Sequence, residues 1–285
     1  MRYQKPALTY QQQFDLIVSR GLSISEDERL RAMRWLTHIS YYRLSAYFLP
    51  FKAGERFRPG TTFHQVAGLY IFDRKLRLVV LDAIERIEVA LRNALTYEIA
   101  HKHGPFGHVD AAHFDPRFDH GRFISELHQA EAGSREPFVA HYRSKYTREE
   151  HLPLWMASEL ISFGRLSRLY KACAPDIKRR IARRLDIPDG VLVSWLHSLT
   201  YVRNVCAHHS RLWNRELAIK PAIPKLSQAW PYEVRSNERA HHTTLDLFDL
   251  ALGSHRTSRR PNLAKESSGC GRERLVAAAS RTGCF

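Results

Sequence analysis

An all-α fold is what this 285-residue sequence predicts, on three observations. Apolar residues recur at threes and fours through most of the chain. Capping and stop signals bound several of these segments, and no stretch gives comparable support for a strand. The length suits one large domain or two smaller ones with a real buried core.

Residues 9–20 place Phe14, Ile17 and Val18 at helical spacing, with Gly21 as the C-terminal stop. Ser25 followed by Glu28 reads as a capping box opening a helix through Met33, Leu36 and Ile39. Residues 40–50 carry Tyr41, Tyr42, Tyr47 and Phe48, too dense for a solvated face, so most of these rings are assigned to the core. Gly54, Pro59 and Gly60 make 51–62 a loop with room for a short extended piece. Together, residues 1–62 form an N-terminal helical subdomain.

Residues 63–103 are the longest periodic segment, with Leu69, Phe72, Leu76, Val79, Val80, Ala83, Ile87, Leu91, Ala94 and Leu95 marking a central helix. Glu85, Glu88 and Arg92 fall at i, i+3 and i+7, so Glu88 and Arg92 can pair along it. That pair is either an ordinary salt-bridged face or a polar wall beside the helix that carries Arg203. Residues 104–121 form a loop with His108, His113, His120, Asp110, Asp115 and Asp119, preceded by His101 and His103. Their spacing fits no metal motif, and no metal is assigned. Helical signals resume at 123–132, 138–146, 154–173, 176–185 and 191–215, completing a bundle over 63–236. Beyond it, 243–252 predict a short helix, and from 254 no aromatic occurs until Phe285. Two readings fit 237–285: a disordered basic tail, or a frame-shifted ending of a GC-rich gene.

The chain has 44 Lys and Arg against 29 Asp and Glu, a formal charge of +15. Much of the excess is Arg, whose planar fork suits phosphate, so a polyanion is the expected partner, nucleic acid before a membrane surface. The plainer reading is a charge that only keeps the protein soluble. Cys173, Cys206, Cys270 and Cys284 are spaced as neither a zinc site nor a disulfide framework, which suits a reducing cytoplasm. No leading apolar segment and no membrane-length apolar run is present, so a cytoplasmic protein with no membrane partner is expected.

The most informative stretch is Leu199-Thr200-Tyr201-Val202-Arg203-Asn204-Val205-Cys206-Ala207-His208-His209-Ser210-Arg211-Leu212-Trp213-Asn214. Wound as a helix at about 100° per residue, it puts Trp195, Leu199, Val202, Cys206 and Trp213 on one apolar stripe. Asn204, His208, Arg211 and Arg215 fall on nearly the opposite side, where they would meet solvent or a ligand. His209 projects close to the stripe and reads as a packed histidine. Arg203 and His208, five apart, differ by about 140° and share no face. They can act together if Arg203 reaches round, or if a second chain brings its own copy alongside.

Further blocks occur in order. Arg20-Gly21-Leu22, Tyr41-Tyr42-Arg43-Leu44-Ser45-Ala46-Tyr47-Phe48, Pro59-Gly60-Thr61-Thr62-Phe63, Leu69-Tyr70-Ile71-Phe72-Asp73-Arg74-Lys75-Leu76-Arg77 and Ala83-Ile84-Glu85-Arg86-Ile87-Glu88-Val89-Ala90-Leu91-Arg92-Asn93 come first. Leu152-Pro153-Leu154-Trp155 and Glu159-Leu160-Ile161-Ser162-Phe163-Gly164 lead to the stretch above. Over about residues 5–221 the chain resembles the Abi-like family, the AbiD and AbiF type abortive-infection, phage-resistance proteins of bacteria. The resemblance implies the HEPN superfamily: a helical bundle with an Arg-x(4–6)-His signature, two copies of which face each other in a homodimer and cut RNA without metal or other cofactor.

Carried over, the signature is Arg203, Asn204 and His208. His208 would be the acid/base, Arg203 would hold phosphate, and Asn204 would orient the imidazole or bind sugar. Arg211, Glu88 and Arg92 would support them, with Arg211 and Arg215 on the RNA. A small structured RNA or an antitoxin is a further implied partner. A non-catalytic RNA-binding regulator and a helical dimerisation scaffold are the alternatives. Relatives continue past the signature with more helical sequence than the 243–252 segment here.

Overall fold

The computed structural model of the chain describes residues 2, 4–185 and 187–222. The expectations for 223–236, for the 243–252 helix and for the tail lie outside the described residues. Within them the fold is all-α: ten α-helices and one two-stranded hairpin.

Helix α1 (Tyr10–Ser19) opens on a true capping box. Gln12 N–H donates to the Thr9 hydroxyl, and Thr9 N–H to the Gln12 side chain. It ends where Gly21, at φ 94°, turns the chain left-handed. Helix α2 (Glu26–Ile39) has Ser25 as its N-cap, but the expected capping box does not form. The Ser25 hydroxyl donates to Glu28 at 3.2 Å and accepts nothing from the backbone. Helix α3 (Tyr41–Phe48) buries Tyr47 and Phe48 and half-buries Tyr41. Tyr42, 88% exposed, departs from the expected ring cluster because it faces away from the side that carries Leu44 and Phe48. Strands β1 (Lys52–Ala53) and β2 (Arg56–Phe57) pair antiparallel across Gly54, the short extended piece expected in the 51–62 loop.

Helix α4 (Phe63–His103) has 41 residues, about 60 Å of axis. A Thr62–Gln65 capping box starts it and Gly104, at φ 80°, stops it. Its buried seam runs Val66, Asp73, Arg77, Val80, Ile84, Leu91, Leu95, Glu98. Phe72 and Val79, which share the apolar spacing, are exposed. Charged residues occupy seam positions, so the apolar pattern alone places the stripe out of phase.

Helices α5 (His120–Ala132), α6 (Pro137–Lys145), α7 (Leu154–Ala157), α8 (Phe163–Ala172), α9 (Pro175–Arg184) and α10 (Asp189–Ala207) complete the bundle. The single helix expected over 154–173 is broken. A 3-10 turn at Ser158–Leu160 and an extended Ile161 precede α8, whose N-cap is Ser162. Arg92 of α4 stabilises this break by donating to the Ser158 and Ile161 carbonyls at 3.0 and 3.3 Å.

Two hydrophobic cores result. Phe14, Ile17, Leu36, Leu44 and Phe48 pack on the first turns of α4, at Phe63, Val66 and Ala67. A larger core gathers the rest of α4 with α5 to α10, around Leu127, Leu154, Tyr170 and Leu196. Between the two on α4 stand the buried Asp73 and Arg77. No helix among the described residues is long and apolar enough to cross a membrane.

Candidate functional site

Helix α10 stops at Ala207, eight residues short of the expected 215. His209 N–H donates to Cys206 O and Ser210 N–H to Val205 O, at 3.0 and 2.9 Å, the paired bonds of a left-handed helix stop. His209 takes the position that glycine usually fills, at φ 55°. The conformation costs about 1–2 kcal/mol for a residue with a Cβ, so the surroundings must hold it.

Helices α3 and α4 do so. Arg43 of α3 donates to His209 O, and Arg77 donates to Ser210 O at 3.4 Å. Arg211 reaches back to Ala46 O of α3 at 3.1 Å. Asp73, with no exposed surface, accepts Leu212 N–H at 3.1 Å and Trp213 N–H at 2.6 Å on Oδ1. Its other oxygen accepts Arg77 and the Tyr47 hydroxyl. Burial and the Asp73 carboxylate raise the Tyr47 pKa, so the phenol stays a donor. Burial pushes the Cys206 thiol up to about 12, leaving it neutral and unreactive at pH 7.

On this fixed backbone the three signature side chains stand unengaged. Among the described residues, Arg203, Asn204 and His208 make no side-chain hydrogen bond or ion pair. Asn204 and His208 are exposed and Arg203 is half-buried. His208 caps the helix at φ −86°, ψ 12°, close enough to helical that its five-residue offset from Arg203 persists within one chain. His209 is exposed, against the expectation of a packed histidine, because the helix has ended and the 100° projection no longer applies. For the same reason Leu212, not Trp213, enters the core, and Trp213 is half-buried.

Of the expected supporting residues, Arg211 stands beside the signature but gives one donor to Ala46. Arg215 bonds the Tyr201 hydroxyl at 3.0 Å and lies over its ring. Both keep further N–H groups for a ligand. Glu88 and Arg92 pair at 3.0 Å, largely buried against α7 and the turn after it. They follow Arg77 by eleven and fifteen residues on α4, about 16 and 22 Å along its axis, so one chain does not bring them to the loop. The histidine-rich loop turns inward: His108 is buried, and His103 stacks on His113 at 3.7 Å. No three metal-capable side chains converge among the described residues.

Asp73, Arg77, Tyr47 and Arg43 carry no role in the sequence reading. The signal for the first two was present: at 73 and 77 they fall in step with Val80, Ile84, Leu91 and Leu95, so two charges lie in an otherwise apolar seam.

An imidazole, a guanidinium and a carboxamide free at the end of α10, just ahead of the pinned loop, can exchange a proton, neutralise phosphate charge and bind a sugar or ring nitrogen. In comparison with protein families, a model described as Abi-like protein matches residues 34–214, from the middle of α2 to the end of the pinned loop. No curated protein and no solved structure matches the chain.

Proposed function

From the premise that this chain belongs to the Abi-like family, whose role is abortive infection, we propose that it defends against phage by cutting RNA without a metal, as a HEPN-type endoribonuclease. The observation that supports this reading is the contrast at the end of α10: the loop that follows is held by buried groups, and Arg203, Asn204 and His208 just before it are left free.

In this reading two chains pair so that the ends of their α10 helices face each other, which removes the angular separation of Arg203 and His208 within one chain. The ribose 2′-hydroxyl attacks the adjacent phosphorus as one His208 takes its proton. The bond to the 5′-oxygen breaks as the other His208 protonates the leaving group. Arg203 from each chain holds the non-bridging oxygens while charge builds on them. The products carry a 2′,3′-cyclic phosphate and a 5′-hydroxyl.

Purified protein is expected to cleave single-stranded RNA in EDTA and to spare the same sequence as DNA, which lacks the 2′-hydroxyl. His208→Ala and Arg203→Ala should each lower the rate by about 100-fold or more. An unchanged rate in His208→Ala would sink the assignment.

A further inference from the structure

A second basic site lies on the same side of α10, just ahead of the signature. A cavity of about 390 Å³ is lined by Ser162, Gly164, Arg165 and Arg168 of the α8 end and by His197 and Thr200 of α10. Gly164 allows the two helices to meet there, since a Cβ would stand 3.2 Å from the Thr200 methyl.

The charge of the site is organised by one carboxylate. Glu126 of α5, itself mostly buried, accepts Arg165 Nε at 2.9 Å, Arg168 Nη2 at 2.7 Å and Arg122 Nε at 2.9 Å. These guanidinium groups hold its carboxyl at about 2. Three positive groups on one negative group leave two charges uncompensated, and each arginine gives Glu126 one N–H of five. The carboxylate therefore positions the forks without neutralising the cluster. Nearby, the Ser162 hydroxyl and the exposed His197 ring are without partners among the described residues.

Helical spacing ties this cavity to the signature. Asn204 follows His197 by seven residues, two turns, and Thr200 by four, so the three lie on one side of α10. Thr200 precedes His208 by eight residues, about 12 Å along the axis. A strand with its reacting phosphate at His208 and running back along α10 would meet Arg165 and Arg168 a few nucleotides away. The uncompensated guanidinium charge at this cavity suits a phosphate group.

We propose that Arg165 and Arg168 form a second phosphate site, which grips the RNA backbone beside the reacting phosphate and sets the register in which the strand meets His208. The inference rests on the RNA-cutting reading, and the two are tested apart.

Binding is measured with full-length His208→Ala protein and a short fluorescein-labelled single-stranded RNA of mixed sequence, in EDTA, over a salt series. Adding Arg165→Gln and Arg168→Gln should weaken binding about tenfold or more and make the salt slope shallower by about 1.4, the value for two phosphate contacts on a single strand. Arg165→Lys with Arg168→Lys keeps the charge and should keep most of the slope. With His208 intact, the loss should fall on KM rather than kcat.

A folded Gln variant with unchanged affinity and slope would overturn the proposal and leave the cluster a structural ion-pair network. Arg168→Gln alone, at the more exposed of the two, serves if the double variant does not fold. Cleavage that needs His208 but ignores Arg165 and Arg168 would defeat the second site alone. Arginine-dependent binding with no cleavage by the wild type would defeat the nuclease reading alone, and no binding by any form would defeat both.

Discussion

His108 is a fully buried imidazole with neither ring nitrogen bonded among the described residues. Burial first, then the neighbouring His151, His120 and His128, lowers its pKa to about 4. The unfolded chain takes up a proton near pH 6.5 that the folded chain refuses. The stability gained from a neutral His108 is therefore whole above about pH 6.5 and is lost as pH falls from there toward 4. The loss is about 1.4 kcal/mol per unit, or about 2 kcal/mol by pH 5. Urea unfolding at pH 7 and pH 5 should show this fall in the wild type and a smaller one in His108→Leu; equal falls would rule it out. The loop that holds His108 was legible as a loop, but its burial was not, because histidines and aspartates in a loop carry no period from which to read an inward face. His208 and His209 teach the same at closer range. Their exposure depends on whether the helix continues past Ala207, and with no glycine in the stretch nothing local announced the stop.

Among the elements, α4 carries the most information and was the most legible, with both its ends and its helical period visible in the sequence. Its phase was not, for a physical reason: Asp73, Arg77 and Glu98 sit in the seam, and each is satisfied by a partner far away in sequence. Arg180 and Arg184 of α9 meet Glu98 near one end of the helix. The loop after α10 and the Tyr47 hydroxyl meet Asp73 toward the other. Asp73→Ala would leave two amide N–H groups, a phenol and a guanidinium in the interior with their acceptor removed. It should cost about 3–5 kcal/mol, read as a drop in the urea midpoint at constant m-value. Asp73→Asn, which keeps an acceptor for Leu212 and Trp213, should cost less. Equal losses for the two would show that the pinning of the loop contributes little. The break between α7 and α8 is a milder instance of the same kind. The sequence reads as one helix there, and Arg92 from α4 supplies the donors that let the chain stop and restart.

For the whole molecule, the all-α class and the approximate order of helices could be read from period and caps alone. That one helix belongs to both cores could not, because the apolar period of α4 runs on without a break from one to the other. Trp35 packs against the first core, and Trp195 is buried in the second. Since α4 runs through both and the Asp73 cluster joins them, the two should unfold together. Single-tryptophan variants reporting from Trp35 and from Trp195 should give coincident urea transitions. Separated midpoints would mean that the cores are independent units.

The bonds that set the loop also fix an order of events. Arg43 meets His209 across 166 residues of chain, and Asp73 meets Leu212 and Trp213 across 139 and 140. Contacts this distant in sequence form only after the intervening helices have collapsed around them. As the chain leaves the ribosome, Asp73, Arg77 and Tyr47 are made and can already join one another before the loop that they hold exists. The end of α10, with Arg203, Asn204 and His208, and the loop that follows it are thus among the last parts of the described chain to take their shape.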